Sequence, residues 1–297
     1  MVISDDFVFL HAPKTGGTFL TEVLTEVYTH HLQRRLICTN KHGGVERIPP
    51  EHRAKQRVTI VRHPFDYYAS HYRFGYWINR PWDSIENGRP LVRTMPCFWD
   101  DDKMRRLFSN YPYLSFEQYL DGALHFNYGP LSPDNRHLAD RLRLGPATVS
   151  ALFYSVPDYL LLLEQLVVDH DLTHLKRQVA QTRILHTECL NQDTYRWLLE
   201  LRIPPEVAEV ALHKQPVKPL NTPDGKTLER AHGQPRNTHW SALFSERAKA
   251  WVVEYEWLIF ELFPEYSWAT EVAPPKSAWR QRSTVNSGQA IGADDRT

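Results

Sequence analysis

One loop near the start of the chain combines glycines, hydroxyls and a lysine in the manner of an anion-binding loop. Residues 11–18 read HAPKTGGT, and the two adjacent glycines allow backbone N–H groups to turn toward a ligand. The lysine adds a point charge, and a helix that begins at the end of the loop adds a favourable dipole. The predicted anion ligands are Lys14, Thr15, Gly16, Gly17 and Thr18. The alternative is a tight strand-to-helix turn with an exposed lysine.

A second anion-binding motif is predicted where a later strand ends. Arg62 directly follows the apolar residues 58–61, and Ser70 stands eight residues further on, in a predicted helix. An arginine binds a phosphate through two parallel N–H groups, and a serine can donate a hydrogen bond from the side. Such a pair by itself is usually a helix cap. Together with the first loop it predicts a two-point anion site.

Apolar runs and helical periodicity predict the elements that hold both motifs. The predicted strands are residues 7–10, 58–61, 152–156 and 183–186. The predicted helices cover residues 19–27, 64–77, 114–120, 159–168 and 251–263. Strands that alternate with helices indicate an α/β protein with a central, mostly parallel sheet flanked by helices. In such sheets ligands bind at the carboxyl ends of the strands, where both motifs lie.

Composition excludes several classes of protein. The 297 residues include 35 Lys and Arg and 35 Asp and Glu, and this balance argues against a protein that coats nucleic acid. Three scattered cysteines predict neither a disulfide framework nor a Cys-x-x-Cys metal site. The charges are nevertheless uneven, because residues 31–80 hold ten Lys and Arg against three Asp and Glu. This surplus predicts a basic field on the side of the anion site.

Neither the first residues nor any apolar stretch of the sequence predicts an export signal or a membrane span. The first residues lack the basic and apolar regions of a signal peptide, and no apolar stretch reaches the roughly 18 residues that span a bilayer. Residues 271–297 are rich in Pro, Ser, Gly and charge, which predicts a disordered tail after one domain of residues 1–270. We therefore expect a cytoplasmic protein without a membrane span or a nucleic-acid partner. The sequence does not predict an oligomeric state.

Taken together, the two motifs resemble those of sulfotransferases that use 3′-phosphoadenosine 5′-phosphosulfate (PAPS). Residues 14–18, KTGGT, are similar to the loop that binds the 5′-phosphosulfate, and Arg62 with Ser70 is similar to the 3′-phosphate motif. The motifs are nearest to the carbohydrate branch that includes the heparan-sulfate 2-O- and 6-O-sulfotransferases. The resemblance is fullest over residues 7–27 and 57–75. It implies a P-loop-like three-layer fold, PAPS as sulfuryl donor, 3′,5′-ADP as product and no metal.

The resemblance also implies catalytic roles. Lys14 would stabilise the leaving phosphate oxygen, as cationic groups do in phosphoryl transfer. His42 lies in residues 40–45, NKHGGV, which are similar to the context of the histidine base in the heparan-sulfate enzymes. Histidine has a suitable pKa for this task. Glu46 is the alternative base, because many sulfotransferases use a carboxylate and a pocket can raise its pKa. A surface turn beside two glycines would also account for His42.

Two further sets of residues are matched only loosely. Arg236 and Asn237 stand where relatives place a loop against the nucleotide, although Asn237 or Thr238 would equally serve as a helix N-cap. Tyr76 and Trp77 are expected to contact the acceptor. The other aromatic residues of that predicted helix are expected in the core; they are Tyr67, Tyr68, Tyr72 and Phe74.

One pair of histidines has the spacing of zinc ligands on a helix. His170 and His174 are four residues apart, but nothing nearby supplies a third ligand. We therefore expect a solvated helix face here and no metal site.

The resemblance leaves the acceptor open. A carbohydrate, a glycolipid or a secondary metabolite with a hydroxyl fits equally, and the missing anchor suggests a bacterial enzyme. The competing interpretation is a P-loop-type kinase or nucleotide-binding regulator. It is disfavoured because a Walker A loop places its lysine after the glycines, and because no Mg²⁺-binding aspartate is evident. A non-catalytic binding module built on the same fold is the third possibility.

Overall fold

The computed structural model describes residues 1–75, 85–86, 89–90, 101–126, 131, 135–215 and 239–269. The strands are β1 (Val2–Ile3), β2 (Phe7–Leu10), β3 (Ile37–Cys38), β4 (Gln56–Val61), β5 (Ile85–Glu86), β6 (Arg89–Pro90) and β7 (Thr182–His186). Five of them form one sheet in the order β3-β1-β2-β4-β7, and β5 and β6 form a separate antiparallel pair. The predicted tail lies outside the described residues.

The directions of the strands place the candidate loops at one edge of the sheet. Strands β2, β4 and β7 are parallel, whereas β1 is antiparallel to both β2 and β3. Strand β3 therefore runs in the same direction as β2, β4 and β7. We call the edge where these four strands end the carboxyl edge. The α/β class is confirmed, but the sheet is mixed, because β1 returns directly into β2 through a turn held by the Ser4 hydroxyl.

Helices surround this sheet. They are α1 (Gly17–Leu24), α2 (Pro64–Phe74), α3 (Asp101–Leu107), α4 (Phe116–Phe126), α5 (Arg136–Leu142), α6 (Pro146–Ser155), α7 (Tyr159–Asp169), α8 (Thr173–Val179), α9 (Leu190–Glu200), α10 (Pro205–Ala208), α11 (Val210–His213), α12 (Glu246–Tyr255) and α13 (Trp257–Leu262). A π-helical segment, Thr25–His31, extends α1. Helix α2 ends three residues before the predicted end because Gly75 adopts the left-handed conformation of a C-cap.

Strand β2 is buried on both faces, as its apolar run predicts. Phe7 and Phe9 face one cluster of buried hydrophobic side chains. In this cluster the rings of Phe7 and Trp197, a residue of α9, pack edge to face, with their centres 4.8 Å apart. Val8 and Leu10 face a second cluster on the other side of the sheet. All four side chains are fully buried, and burial of each contributes about 1.5–3 kcal/mol. This packing fixes the strand from which the first candidate loop departs.

The prediction of a strand over residues 152–156 is wrong. These residues close α6, which is buried along almost its whole length and therefore shows no amphipathic period. A short apolar run cannot by itself distinguish a buried strand from a buried helix. The N-terminus of α6 is capped from a distance, because the Glu256 carboxylate accepts hydrogen bonds from Ala147 N and Thr148 N at 3.0 and 2.7 Å.

The single helix predicted over residues 251–263 is two helices. The break falls at Glu256, which leaves the helical conformation with φ −105° and ψ 20°. Its side chain is fully buried and also accepts a hydrogen bond from the Tyr68 hydroxyl. The break therefore places a carboxylate at the N-terminus of α6, which is the positive end of the helix dipole.

The shared helix face predicted for His170 and His174 is wrong. His170 has φ 54° and ends α7, whereas His174 lies in α8, which begins at Thr173. Both histidines are exposed. Because the two histidines belong to different helices, their spacing of four residues does not place them on one helix face.

Candidate active site

The loop between β2 and α1 needs both of its glycines. Gly16 has φ 99°, and a Cβ atom there would lie 2.6 Å from Leu190 Cδ2. A Cβ atom at Gly17 would lie 2.1 Å from the ring of His11. Lys14 also adopts the left-handed region, with φ 64°, although it carries a side chain. The chain therefore turns sharply here while it packs closely against its surroundings.

The turn presents backbone donors at the carboxyl edge. Helix α1 begins at Gly17 without a side-chain cap. The first N–H groups of a helix, here those of Gly17 and Thr18, have no acceptor within the helix itself. The Thr15 hydroxyl points inward and donates to Ala12 O at 3.0 Å, whereas the Thr18 side chain is exposed. The backbone of this turn, with the Thr18 hydroxyl, therefore suits an anion.

Both the side chain and the backbone of Lys14 contact the segment that contains the second motif. Its ammonium lies 4.2 Å from the centre of the Phe74 ring at the end of α2. Its carbonyl accepts a hydrogen bond of 2.5 Å from Arg62 Nη1. The two motifs thus meet at adjacent strand ends, as the sequence predicts.

Arg62 has more hydrogen-bond partners within the protein than the sequence suggests. Its Nε and Nη2 lie 2.7 and 2.6 Å from Asp66 Oδ2, one turn into α2. With the contact to Lys14 O, three of the five guanidinium N–H groups have partners, and two remain. Ser70 is half-exposed, one turn after Asp66 on the same face of α2. The remaining N–H groups and the Ser70 hydroxyl are the donors that the second motif offers.

A third strand end completes the site, and it was missed from the sequence. Thr187 follows β7, and its hydroxyl lies 2.7 Å from Thr15 O and 2.9 Å from Val61 O. Glu188 Oε1 accepts a hydrogen bond of 2.8 Å from His63 N at the start of α2. The available signal was position, because both residues directly follow a predicted strand, as the first two motifs do.

His42 lies at the same edge, after β3. Its Nδ1 is 3.1 Å from His11 O, and its own carbonyl accepts a hydrogen bond of 3.0 Å from the Tyr154 hydroxyl. Because a carbonyl only accepts, this contact assigns the proton to Nδ1 and leaves the Nε2 lone pair available. Burial lowers the pKa of His42 below its usual 6.5, so the ring is neutral at pH 7. Burial, and then the neighbouring His42, lower the pKa of His11 to about 3.

The carboxylate of Glu46 accepts a hydrogen bond from the backbone of another element. The residue is exposed, and its Oε1 accepts a hydrogen bond of 2.8 Å from Asp158 N at the start of α7. Asp158 has φ 52°, so this bond supports a sharp turn. A carboxylate in that role is less available as a base than the His42 ring.

Part of the basic surplus of residues 31–80 lies away from the carboxyl edge. Lys55 donates to Ser4 O at 2.6 Å, and Arg53 donates to Ile48 O at 3.3 Å. Arg57 lies near the start of β4 and donates to Thr182 Oγ1 at 3.2 Å. These three side chains therefore lie away from the anion site, because the segment includes the whole of β4 and reaches both edges of the sheet.

Several predicted contacts lie outside the described residues, namely Arg236, Asn237, Tyr76 and Trp77. Within α2, the core prediction is confirmed for Tyr67, Tyr68 and Tyr72, which are buried. Phe74 differs, because 43% of it is exposed beside Lys14.

Within the part of the chain that the structure describes, one group of side chains has the composition of a metal site. His186, Cys189 and Asp193 offer donor atoms within 4.8 Å of one another. Their contacts are those of a hydrogen-bonded cluster, because His186 Nδ1 lies 2.9 Å from Asp193 Oδ2 and Nε2 lies 2.8 Å from Glu265 Oε1. Burial raises the pKa of the Cys189 thiol to about 11, which keeps it protonated.

Comparison with known proteins adds no relative. No protein-family model, no curated protein and no solved structure matches the chain. Of the helices in the described ranges, none combines the length and the apolarity needed to cross a bilayer. The residues at the carboxyl edge are therefore the basis on which a function is inferred.

Proposed function

We propose that the protein is a PAPS-dependent sulfotransferase with a P-loop-like three-layer fold. The observation that carries the proposal is the hydrogen bond of 2.5 Å between Arg62 Nη1 and Lys14 O. It brings a glycine-rich loop, which has no side-chain cap at the start of α1, next to an arginine and serine motif. A donor with phosphates on both its 5′ and 3′ sides needs this pair of neighbouring anion sites.

The two motifs divide the donor between them. The N–H groups of residues 15–18 and the Lys14 ammonium suit the 5′-phosphosulfate, and α1 adds its dipole. The two remaining N–H groups of Arg62 and the Ser70 hydroxyl suit the 3′-phosphate. PAPS supplies the sulfuryl group, and 3′,5′-ADP leaves. Lys14 then stabilises the charge that develops on the departing 5′-phosphate oxygen.

His42 is the proposed base. Its Nδ1–H donates to His11 O, so Nε2 is the atom that takes the proton of the acceptor hydroxyl. The lowered pKa of His42 keeps this atom unprotonated at neutral pH. Glu46 is the less favoured base because its carboxylate holds Asp158 N. The acceptor is a hydroxyl compound, such as a carbohydrate, a glycolipid or a secondary metabolite.

Ligand-induced thermal stabilisation tests the proposal. We expect 3′,5′-ADP to raise the unfolding temperature of the wild type, because a ligand that binds only the folded state stabilises it. The Lys14→Ala variant should respond much less, whereas Lys176→Ala, an exposed lysine of α8, should respond like the wild type. Stabilisation by ATP with Mg²⁺ but not by 3′,5′-ADP would instead indicate a P-loop-type kinase or regulator.

Acceptor screening then tests the reaction itself. Labelled PAPS is incubated with hydroxyl compounds from the three acceptor classes, and label transfer is measured for the wild type and Lys14→Ala. Transfer by the wild type alone supports the proposal. Binding of 3′,5′-ADP without transfer to any class would favour a non-catalytic binding module.

A further inference from the structure

We propose that Asp66 is a positioning residue: it orients Arg62, and Arg62 in turn holds the loop of residues 13–18 in shape. Asp66 Oδ2 lies 2.7 Å from Nε and 2.6 Å from Nη2 of Arg62 and accepts hydrogen bonds from both. The third contact of the same guanidinium is the hydrogen bond from Nη1 to Lys14 O. Asp66 thus reaches the loop through one rigid, planar group.

Lys14 is the residue of the loop that needs such support. Its φ of 64° is unfavourable for a residue that carries a Cβ atom, so surrounding contacts must hold it. The Arg62 hydrogen bond anchors its carbonyl, and the Thr187 hydroxyl anchors the next carbonyl, that of Thr15. Side chains from two other strand ends therefore fix two consecutive peptide groups of the loop.

The geometry distinguishes positioning from simple neutralisation of charge. Both contacts to Asp66 lie along one side of the guanidinium, which fixes the plane of the group. The two N–H groups that remain, one on Nη1 and one on Nη2, are then held in fixed directions within that plane. A carboxylate that merely neutralised Arg62 would weaken anion binding, so its removal would strengthen that binding. A positioning carboxylate has the opposite effect, and the sign of the change therefore decides between the two roles.

The coupling of Asp66 to the loop stands independently, whereas its effect on turnover rests on the proposed function. The experiment compares the wild type with Asp66→Asn, Arg62→Gln and the double variant. Hydrogen exchange of residues 11–19 reports the loop without any ligand, and titration with 3′,5′-ADP reports binding. Glu200→Gln is the matched control, because it removes a carboxylate from an arginine, Arg183 of β7, away from the carboxyl edge.

We expect Asp66→Asn to speed exchange in the loop roughly tenfold and to weaken 3′,5′-ADP binding about five- to twentyfold. Adding Asp66→Asn to Arg62→Gln should change neither quantity further, because Asp66 acts through Arg62. In turnover assays the KM for PAPS should rise and kcat should fall, whereas a loss of folded protein alone would leave KM unchanged. Glu200→Gln should match the wild type.

Two results overturn the inference. One is unchanged loop exchange in Asp66→Asn, and the other is tighter binding of 3′,5′-ADP by that variant. A different pattern of results would refute the proposed function and leave this inference standing. In that pattern the wild type does not bind 3′,5′-ADP, but Asp66→Asn and Arg62→Gln both speed hydrogen exchange in the loop. In that case the coupling stands, and the loop serves another ligand.

Discussion

Replacing Glu256 with glutamine is expected to change how stability depends on pH. The fully buried carboxylate accepts hydrogen bonds from Ala147 N, from both Thr148 N and Thr148 Oγ1, and from the Tyr68 hydroxyl. These donors are all neutral. Burial raises the pKa of Glu256 to about 7, although the donors act to lower it.

The direction of the effect follows from the two pKa values. The folded pKa of about 7 exceeds the unfolded value of 4.5, so the folded protein binds this proton more tightly. The stabilisation from that proton is complete below pH 4.5 and is lost as the pH rises through 7. The difference corresponds to about 3 kcal/mol of unfolding free energy.

Glutamine keeps the shape of the acid but does not titrate. Its amide group can donate to the Tyr68 oxygen, as the protonated acid can, but it leaves one backbone N–H of α6 without an acceptor. That loss costs about 1–3 kcal/mol. Glu256→Gln should therefore be less stable than the wild type at pH 5 by about this amount. Between pH 5 and pH 8 the wild type should lose about 2.5 kcal/mol that Glu256→Gln does not lose, so the variant should match or exceed the wild type at pH 8.

Urea unfolding of both proteins at pH 5, 6, 7 and 8 measures this gap. Buried histidines such as His11 and His71 also titrate, but burial lowers their pKa values, so they stabilise the fold as the pH rises. Their effect cancels in the difference between the two proteins. A difference in unfolding free energy that stays constant within about 0.5 kcal/mol from pH 5 to 8 would refute the reasoning.

Three further predictions concern the carboxyl edge. Lys14→Ala should lower kcat about 10²- to 10³-fold while the circular dichroism spectrum and unfolding temperature stay near those of the wild type; near-normal turnover would remove Lys14 from the mechanism. His42→Ala should lower turnover about 10²- to 10⁴-fold and abolish the lower limb of the pH–rate profile. If Glu46→Ala has that effect instead, Glu46 is the base. Thr187→Val should cost about 1–3 kcal/mol in urea unfolding, because the one O–H group that lies within hydrogen-bond distance of both Thr15 O and Val61 O is lost; an unchanged midpoint would show that the strand ends are held by other contacts.

The local parts of the fold could be predicted because they depend on neighbours in the chain. The apolar run of β2, the paired glycines and the periodicity of α1 form a strand, loop and helix in continuous sequence. The same holds for β4, Arg62 and α2. Errors arose where burial hid the period, as in α6, or where a distant partner set a boundary, as Glu256 does for α12 and α13.

The site was predictable to the same extent and for the same reason. Lys14 and Arg62 each follow a strand, so their edge of the sheet could be inferred from sequence. Thr187 carries no motif, and its importance depends on β7 lying beside β4. The engagement of Arg62 by Asp66 was equally hidden, because a helical i, i+4 spacing does not reveal whether a side chain turns toward a ligand or toward its neighbour.

The sequence by itself therefore determined the α/β class and the places of the two predicted anion-binding motifs, since strand, turn and helix signals act over a few residues. Only the tertiary structure decided that the two motifs are in contact, through the hydrogen bond from Arg62 to the carbonyl of Lys14. It also decided that Thr187, at a third strand end, hydrogen-bonds to the same loop. These contacts join residues 48 and 172 positions apart. Their formation depends on the order and direction of the strands, which no local pattern specifies.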